Sequence, residues 1–144
     1  MSILRDERLL ALHDLVEACR ASAQQTEIAA EVLSEGSLVK QLEALAAQRR
    51  RDAEELCEPI LESEDIPPAL PEERGLLESA VAAAKAAFAA DGGAAILEDC
   101  REKEQNVLRC AEAAAKAPLL GNEKTRVERL AADARKRLSD LSKP

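Results

Sequence analysis

Aromatic residues are almost absent from this sequence of 144 residues, which contains one Phe, at position 88, and no Tyr or Trp. β-Branched residues are also scarce, and the cores of β-sandwiches and barrels normally use both kinds of side chain. The shortage therefore argues against an all-β fold. Hydrophobic residues make up 47% of the chain and charged residues 33%, with frequent alanine, the best helix former. This composition predicts an all-α protein.

A surplus of basic residues is also missing, because 28 acidic residues stand against 20 basic ones and give a net charge of −8. Nucleic-acid binding relies on clustered Lys and Arg for the phosphates and on aromatic faces for the bases. The densest basic run, residues 49–51, is followed at once by Asp52, which is typical of a solvated or paired helix face. We therefore expect no nucleic-acid partner.

Long hydrophobic runs are missing as well. No segment approaches the roughly 20 apolar residues of a bilayer span, and the first residues lack the basic-then-apolar order of a signal peptide. We expect a cytoplasmic protein without a membrane partner. The four cysteines, at positions 19, 57, 100 and 110, include no CxxC pair and so give no zinc or thioredoxin signature. We expect reduced, buried thiols, with a thiol-based redox sensor as a less favoured alternative.

Apolar residues recur at alternating spacings of three and four, a pattern typical of helices that share a core. The longest run is Leu9, Leu12, Val16, Cys19, Ala23, Thr26, Ala30 and Leu33. Gly36 is expected to end the first helix and Ser37 to cap the second. The pattern predicts a single domain, residues 1–144, with helices at about 6–34, 38–62, 72–90, 94–116 and 123–141.

Four of the five predicted helices are long, and the turn between the first two is short enough to make them an antiparallel pair. The third helix is the shorter one and follows the break at Asp65-Ile66-Pro67-Pro68. We predict an antiparallel four-helix bundle, with this shorter helix in the crossover between the second and third bundle helices.

Charged residues interrupt two of the apolar seams at mid-length. Arg49 and Asp52 lie on the seam of the second helix, and Glu104 lies on that of the fourth. An unpaired buried charge costs several kcal/mol, so one hypothesis is a buried polar layer in which Arg49 pairs with Glu104 and Asp52. In the alternative, Arg49 and Asp52 rotate to the edge of the bundle and the arginine stem reaches outward to solvent.

Several segments carry a family resemblance that extends over about residues 9–141. They are Leu12-His13-Asp14-Leu15-Val16-Glu17-Ala18-Cys19, Leu45-Ala46-Ala47-Gln48-Arg49, Ala53-Glu54-Glu55-Leu56 and Ala94-Ala95-Ile96-Leu97-Glu98-Asp99-Cys100. In this order and spacing they resemble an uncharacterised bacterial ferritin-like four-helix-bundle family, a domain of unknown function. The resemblance implies a ferritin-like fold.

The resemblance raises the question of iron, because ferritin-like di-iron enzymes use two Glu and two Glu-x-x-His pairs from the four helices. This chain has no Glu-x-x-His, and its one histidine, His13, is expected at the surface or edge near the start of the first helix. The family pattern also has a Gly-Glu, an aromatic residue seven positions later and a histidine in the last helix. Here Glu104 matches the acid, whereas Lys103, Ala111 and Arg135 occupy the other three positions.

No catalytic motif is recognisable, since one histidine and scattered serines cannot assemble a nucleophile–base pair and no Gly-rich phosphate loop is present. The leading hypothesis is a non-enzymatic structural or protein-interaction module without a cofactor. Its expected partner is an unknown protein or a second copy of the chain, because Ala82, Ala83, Ala86 and Ala87 would permit close helix contact. The alternative is a degenerate carboxylate metal site formed by Glu27, Asp52 and Glu104.

Overall fold

The computed structural model describes residues 6–34, 36–69 and 74–141, with the backbone alone at 74–77. This part of the chain is all-helical: it contains five α-helices and no β-strand. The helices are α1 (Glu7–Leu33), α2 (Ser37–Glu62), α3 (Arg74–Asp91), α4 (Ala94–Ala115) and α5 (Gly121–Leu141). None of the described helices is both long enough and apolar enough to cross a membrane.

The observed helix ends lie within two residues of the predicted ones, and the predicted start of the third helix, at 72, lies outside the described residues. The largest difference within the described chain is at α5, which begins at Gly121 instead of 123. There the carboxylate of Glu123 accepts a hydrogen bond of 3.1 Å from the backbone N–H of Leu120. A Glu that turns back to the N–H just before a helix is half of a capping box, and it allows the earlier start.

The turn between α1 and α2 corrects one detail of the prediction. Ser37 is already the first residue of α2, the preceding position is Gly36 with a φ of 113°, and no side chain caps this helix end. Gly36 therefore adopts a backbone conformation that favours glycine. The first residue beyond α1 is Ser34, whose φ of 70° is also positive, so the reversal of the chain begins before the glycine.

Polar contacts define the directions of the helices. Arg50 on α2 donates to Glu27 on α1 at 2.5 Å, and Ser63, just beyond α2, accepts from Arg8 near the start of α1 at 3.0 Å. The two helices are therefore antiparallel. By the same criterion α4 is antiparallel to both α1 and α5, and α5 is antiparallel to α2. It follows that α2 and α4 run in the same direction.

Extensive contacts join α1 to α2, α1 to α4 and α4 to α5, and a narrower contact joins α2 to α5. This arrangement is consistent with a four-helix bundle formed by α1, α2, α4 and α5. The remaining helix, α3, packs against α1 and α4.

The apolar core consists of two clusters. We call the end with the α1–α2 turn the hairpin end, and the end where α1 begins and α2 finishes the opposite end. At the hairpin end the cluster includes Ile28, Leu42, Leu45, Ile96 and Leu141. At the opposite end it includes Leu12, Leu15, Leu56, Val107 and Val127. The polar residues Arg49 and Glu104 lie between the two clusters in sequence on α2 and α4, and both are fully buried.

Candidate functional site

The centre of the candidate site is Arg49, whose side chain has no exposed surface. Its Nε donates to both carboxylate oxygens of Glu104, at 3.0 and 3.1 Å, and its Nη2 also donates to Glu104. Its Nη1 donates to the Oδ2 of Asp52 at 2.7 Å. The planar guanidinium thus bridges α2 and α4 by the paired geometry that arginine and carboxylates favour.

Two further residues complete this arrangement, which we call the charged layer (Ser22, Arg49, Asp52, Glu104 and Asp133). The Ser22 hydroxyl donates to Glu104 Oε1 at 2.9 Å. Asp133 Oδ2 lies 3.0 Å from Arg49 Nη2, but without hydrogen-bond geometry, and is therefore an ion pair only. All four bundle helices contribute to the layer.

The electrostatics of the charged layer keep Arg49 protonated. Burial disfavours the charged guanidinium, but the hydrogen bond from Arg49 to Glu104 and the negative charges of Glu104, Asp52 and Asp133 outweigh it and raise the pKa of Arg49. A buried charge is tolerated only when it is paired and hydrogen-bonded in this way. Arg49 therefore acts as a fixed positive charge among the acidic side chains of the layer.

Of the two alternatives left open by the sequence, the structure places Arg49 in the core and not at the edge. Asp52 takes an intermediate position, with 13% of its side chain exposed. A spacing of three residues turns the helix by about 300°, so the two side chains share a face without being equally deep. Gln48 also donates to Asp52, at 2.9 Å.

The structure does not bring together the three residues of the alternative metal site. Glu27 points to the exposed surface, where its carboxylate pairs with Arg50 and 46% of its side chain is exposed. Among the described residues, no group of three or more His, Cys, Asp and Glu side chains is arranged to hold a metal ion. The carboxylates of Asp52 and Glu104 face the Arg49 guanidinium, whose charge repels a cation. A di-iron centre does not fit these residues.

The expected position of His13 was wrong, because this residue is buried and not at the surface. It lies near the start of α1, at the opposite end of the bundle, and its Nε2 is 3.2 Å from Asp65 Oδ2. Arg135, which stands near the family's expected histidine, is exposed and pairs with Glu112 at 3.1 Å.

A family described as "Domain of unknown function (DUF2383)" matches residues 7–117 of this chain. The chain belongs to this family. No curated protein and no solved structure matches the chain. The match to DUF2383 contains α1 to α4, including Arg49 and Glu104, and it ends before α5, which contributes Asp133 to the charged layer.

Sequence reasoning missed Ser22 and Asp133. Ser22 lies beside the α1 seam, next to Ala23, and is fully buried. Asp133 lies off the apolar stripe of α5, and its one visible signal is Arg137 four residues later, whose Nε lies 3.6 Å from Asp133 Oδ2. A pair at this spacing is common on exposed helix faces, so it does not by itself indicate a contact with the core.

A second ionic cluster, at the opposite end of the bundle, was also missed. Arg8 donates to both carboxylate oxygens of Glu123 and to the hydroxyl of Ser63, the latter at 3.0 Å. Burial works against the charge of Glu123, but the hydrogen bonds from Arg8 and from the Leu120 N–H outweigh it and lower the pKa of Glu123. We call Arg8, Ser63 and Glu123 the end cluster. It joins the start of α1, the end of α2 and the start of α5.

The cysteine thiols lack the activation that a redox centre needs. Burial raises the pKa of Cys19 well above its usual range, that of Cys100 to about 12, and also those of Cys57 and Cys110. Reactive cysteines have a lowered pKa, because the thiolate is the nucleophile. These four thiols are therefore protonated at neutral pH.

Two open grooves lie on the outside of the bundle. One, of about 780 Å³, lies between α1 and α2 near the hairpin end and has Glu27, Glu31, Glu43 and Arg50 on its walls. The other, of about 510 Å³, lies between α1 and α4 near the opposite end. Neither groove is lined by a residue of the charged layer.

Proposed function

We propose that this protein is a non-enzymatic structural or protein-interaction module of the bacterial cytoplasm, a ferritin-like four-helix bundle without a di-iron site. The observation that carries the proposal is the pairing of Arg49 with Glu104, Asp52 and Asp133 at mid-bundle. Ferritin-like di-iron proteins have metal-binding carboxylates and histidines in the bundle core. In this chain the acids of the layer, of which Glu104 is fully buried, pair with an arginine instead.

The ferritin-like part of the proposal is supported by the directions of the helices. Since α2 and α4 run in the same direction, α2 finishes at the opposite end of the bundle and α4 begins at the hairpin end, so a connection as long as the bundle separates them. A single long crossover of this kind is typical of ferritin-like bundles. We infer that α3 is the helix of that crossover.

A role without catalysis is supported by the state of the buried polar groups, which are hydrogen-bonded or protonated. The oxygens of Glu104 accept from Arg49 and Ser22, and the thiols are held protonated by burial. General acid–base or nucleophilic chemistry needs a group within reach of a substrate and with a pKa near the working pH. Arg49 and Glu104 have no exposed side-chain surface, so neither group lies within reach of a substrate.

An interaction role is supported by α3. Its alanines at positions 82, 83 and 86 are exposed, and 38% of Phe88 is exposed. Exposed apolar surface of this kind commonly marks a contact with another protein. We propose a homodimer as the simplest such contact.

The proposal is tested on the purified full chain in two measurements. Elemental analysis of protein prepared without chelator should give iron, manganese and zinc well below one per chain, and adding each ion should leave the thermal midpoint unchanged. Light scattering over a range of concentrations should give a mass that rises from monomer to dimer.

Stoichiometric metal that is lost in the Glu104→Gln variant, but kept in the matched surface variant Glu31→Gln, would establish the carboxylate metal site instead. A strict monomer at the highest concentration would contradict the homodimer. A light-scattering mass that changes when reductant is added would favour the thiol-based redox sensor over both the metal site and the proposed module.

A further inference from the structure

The larger of the two open grooves, of about 780 Å³, lies between α1 and α2 near the hairpin end, and we call it the hairpin groove. One stripe of residues on each helix lines it. The stripe on α1 is Glu27, Ala30, Glu31 and Ser34, and the stripe on α2 is Val39, Glu43, Ala46, Ala47 and Arg50. Spacings of three and four place the members of each stripe on one helix face. A seam between two packed helices is a surface on which a third helix can lie.

The floor of the hairpin groove is apolar. Ala30, Val39 and Ala46 are nearly buried, with exposed fractions of 8%, 7% and 3%, and the first two belong to the hairpin-end cluster. Ala47 is exposed. Because three of these four side chains are alanines, a docked helix could come close to the backbones of both α1 and α2.

The walls of the hairpin groove are acidic. Glu27 and Glu31 lie one turn apart on α1 and Glu43 lies on α2, whereas Arg50 is the one base among the lining residues that the structure describes. Arg50 already pairs with Glu27. Within the described chain the exposed carboxylates of Glu31 and Glu43 have no ion-pair or hydrogen-bond partner. Two uncompensated negative charges therefore flank the apolar floor.

The two grooves differ in charge. The groove between α1 and α4 has two acids and two bases on its walls, Glu7, Asp14, Arg109 and Lys116. The hairpin groove has three acids and one base, a net charge of −2. Complementary charge favours a cationic occupant for the hairpin groove. A second copy of this chain, with a net charge of −8, is disfavoured there by like-charge repulsion.

The dimensions of the hairpin groove favour a short helix over a small molecule. Along α1 the lining rises by about 10 Å and along α2 by about 16 Å. This length corresponds to two to three helical turns, or about 7–11 residues. Sites for small molecules enclose about 70–90% of the ligand surface, whereas this groove is open to solvent.

We propose that the hairpin groove binds a short basic helix of a partner protein. The helix places small apolar residues on the floor and a Lys or Arg on each flank, one toward Glu31 and one toward Glu43. This inference rests on the proposed interaction role and specifies the chemistry of the partner. The interface is smaller than the standard size and its ion pairs are exposed, so binding should be weak and should decrease with added salt.

The probe is a synthetic peptide of about 14 residues, long enough to form a helix, with alanine and leucine on one face and lysine on both flanks. In the matched peptide every lysine is replaced by glutamate. Calorimetric titration of the full chain at low salt should show one-to-one binding of the lysine peptide and no binding of the glutamate peptide.

Two variants locate the binding site. The double variant Glu31→Gln, Glu43→Gln should raise the dissociation constant of the lysine peptide about tenfold, because two exposed ion pairs are lost. Ala47→Gln should weaken binding without any change of charge, because its longer side chain covers part of the floor.

The matched controls change the same residue types elsewhere. Glu102→Gln, Glu128→Gln removes two exposed acids from α4 and α5, and Ala132→Gln enlarges an exposed alanine on α5. Both control proteins should bind the lysine peptide like the wild type. Circular dichroism should show the same helix content in all variants.

Several results would overturn the basic helix. Equal weakening in the Glu102, Glu128 control would show that overall charge attracts the peptide, and equal binding of both peptides or no binding of either would exclude charge recognition by the groove. Binding of spermidine without binding of the peptide would assign the groove to a small cation. A light-scattering mass that falls in Ala47→Gln would assign it to a second copy. In each case elemental analysis still tests the proposed function separately.

Discussion

The charged layer and the end cluster use the same chemistry at two depths. Each pairs one arginine with one glutamate from a different helix. Arg49 and Glu104 have no exposed side-chain surface, whereas 14% of Arg8 and 4% of Glu123 are exposed. This small difference in exposure changes the cost of losing a partner. Water can solvate Arg8 if Glu123 is removed, but it cannot reach Arg49 if Glu104 is removed.

The two clusters also differ in how many elements they join. The end cluster fixes the start of α1 to the end of α2 and to the start of α5. The charged layer receives one residue or more from each of the four bundle helices. We infer that the layer sets the relative register of the helices, because a shift of one turn would leave Arg49 among apolar side chains at a cost of several kcal/mol.

The largest expected effect is at the charged layer. Arg49→Met should lower the free energy of unfolding by about 3–5 kcal/mol, because Glu104 would be left buried without its counter-charge. The double variant Arg49→Met, Glu104→Leu should recover most of this loss, since an apolar pair of similar volume needs no partner. Urea unfolding of the wild type, the two single variants and the double variant measures the coupling. A single variant that costs under about 1 kcal/mol would contradict the importance of the layer.

A smaller, pH-dependent effect is expected at the end cluster. Glu123→Gln should cost about 1–2 kcal/mol at pH 7 through loss of the charged hydrogen bonds to Arg8. The pKa of Glu123 is lowered in the folded protein from its ordinary value of about 4.5. The stabilisation from its ionised form is therefore complete above about pH 4.5 and is lost as the pH falls through the folded-state pKa.

Thermal unfolding of wild type and Glu123→Gln from pH 7 to pH 2.5 measures this dependence. The difference between the two proteins should shrink as the solution becomes more acidic. A difference that is constant over the whole range would show that the ionised carboxylate is not the source of the stabilisation.

The smallest effect is expected at the surface pair of Arg50 and Glu27, in which both side chains are nearly half exposed. Arg50→Ala should change the free energy of unfolding by no more than about 0.5 kcal/mol, and added salt should reduce the difference further. Arg49 and Arg50 are neighbours in sequence. The variants Arg49→Met and Arg50→Ala therefore compare the loss of one residue type at two depths. If Arg49→Met and Arg50→Ala lowered the free energy of unfolding equally, burial would not be the reason for the importance of Arg49.

The sequence by itself determined the helices and indicated three of the five residues of the charged layer. The spacings of three and four identified the helices, because a helix that faces a core must repeat its apolar residues at that interval. The helix ends within the described residues lie within two residues of the predicted ones. The same rule exposed Arg49 and Glu104 as interruptions of the seams of α2 and α4. It could not select between core and edge for Arg49, since periodicity defines a face only to within a few tens of degrees.

Only the tertiary structure decided which charges meet. Asp133 pairs with Arg49 across 84 positions of sequence, and Glu123 pairs with Arg8 across 115. Glu27, one of the three residues of the alternative metal site, lies at the surface. Such pairings depend on the rotation and height of separate helices, which the local pattern of each helix does not encode. The contact of α3 with α1 and α4 has the same origin, because the place where α3 packs is a property of the whole bundle.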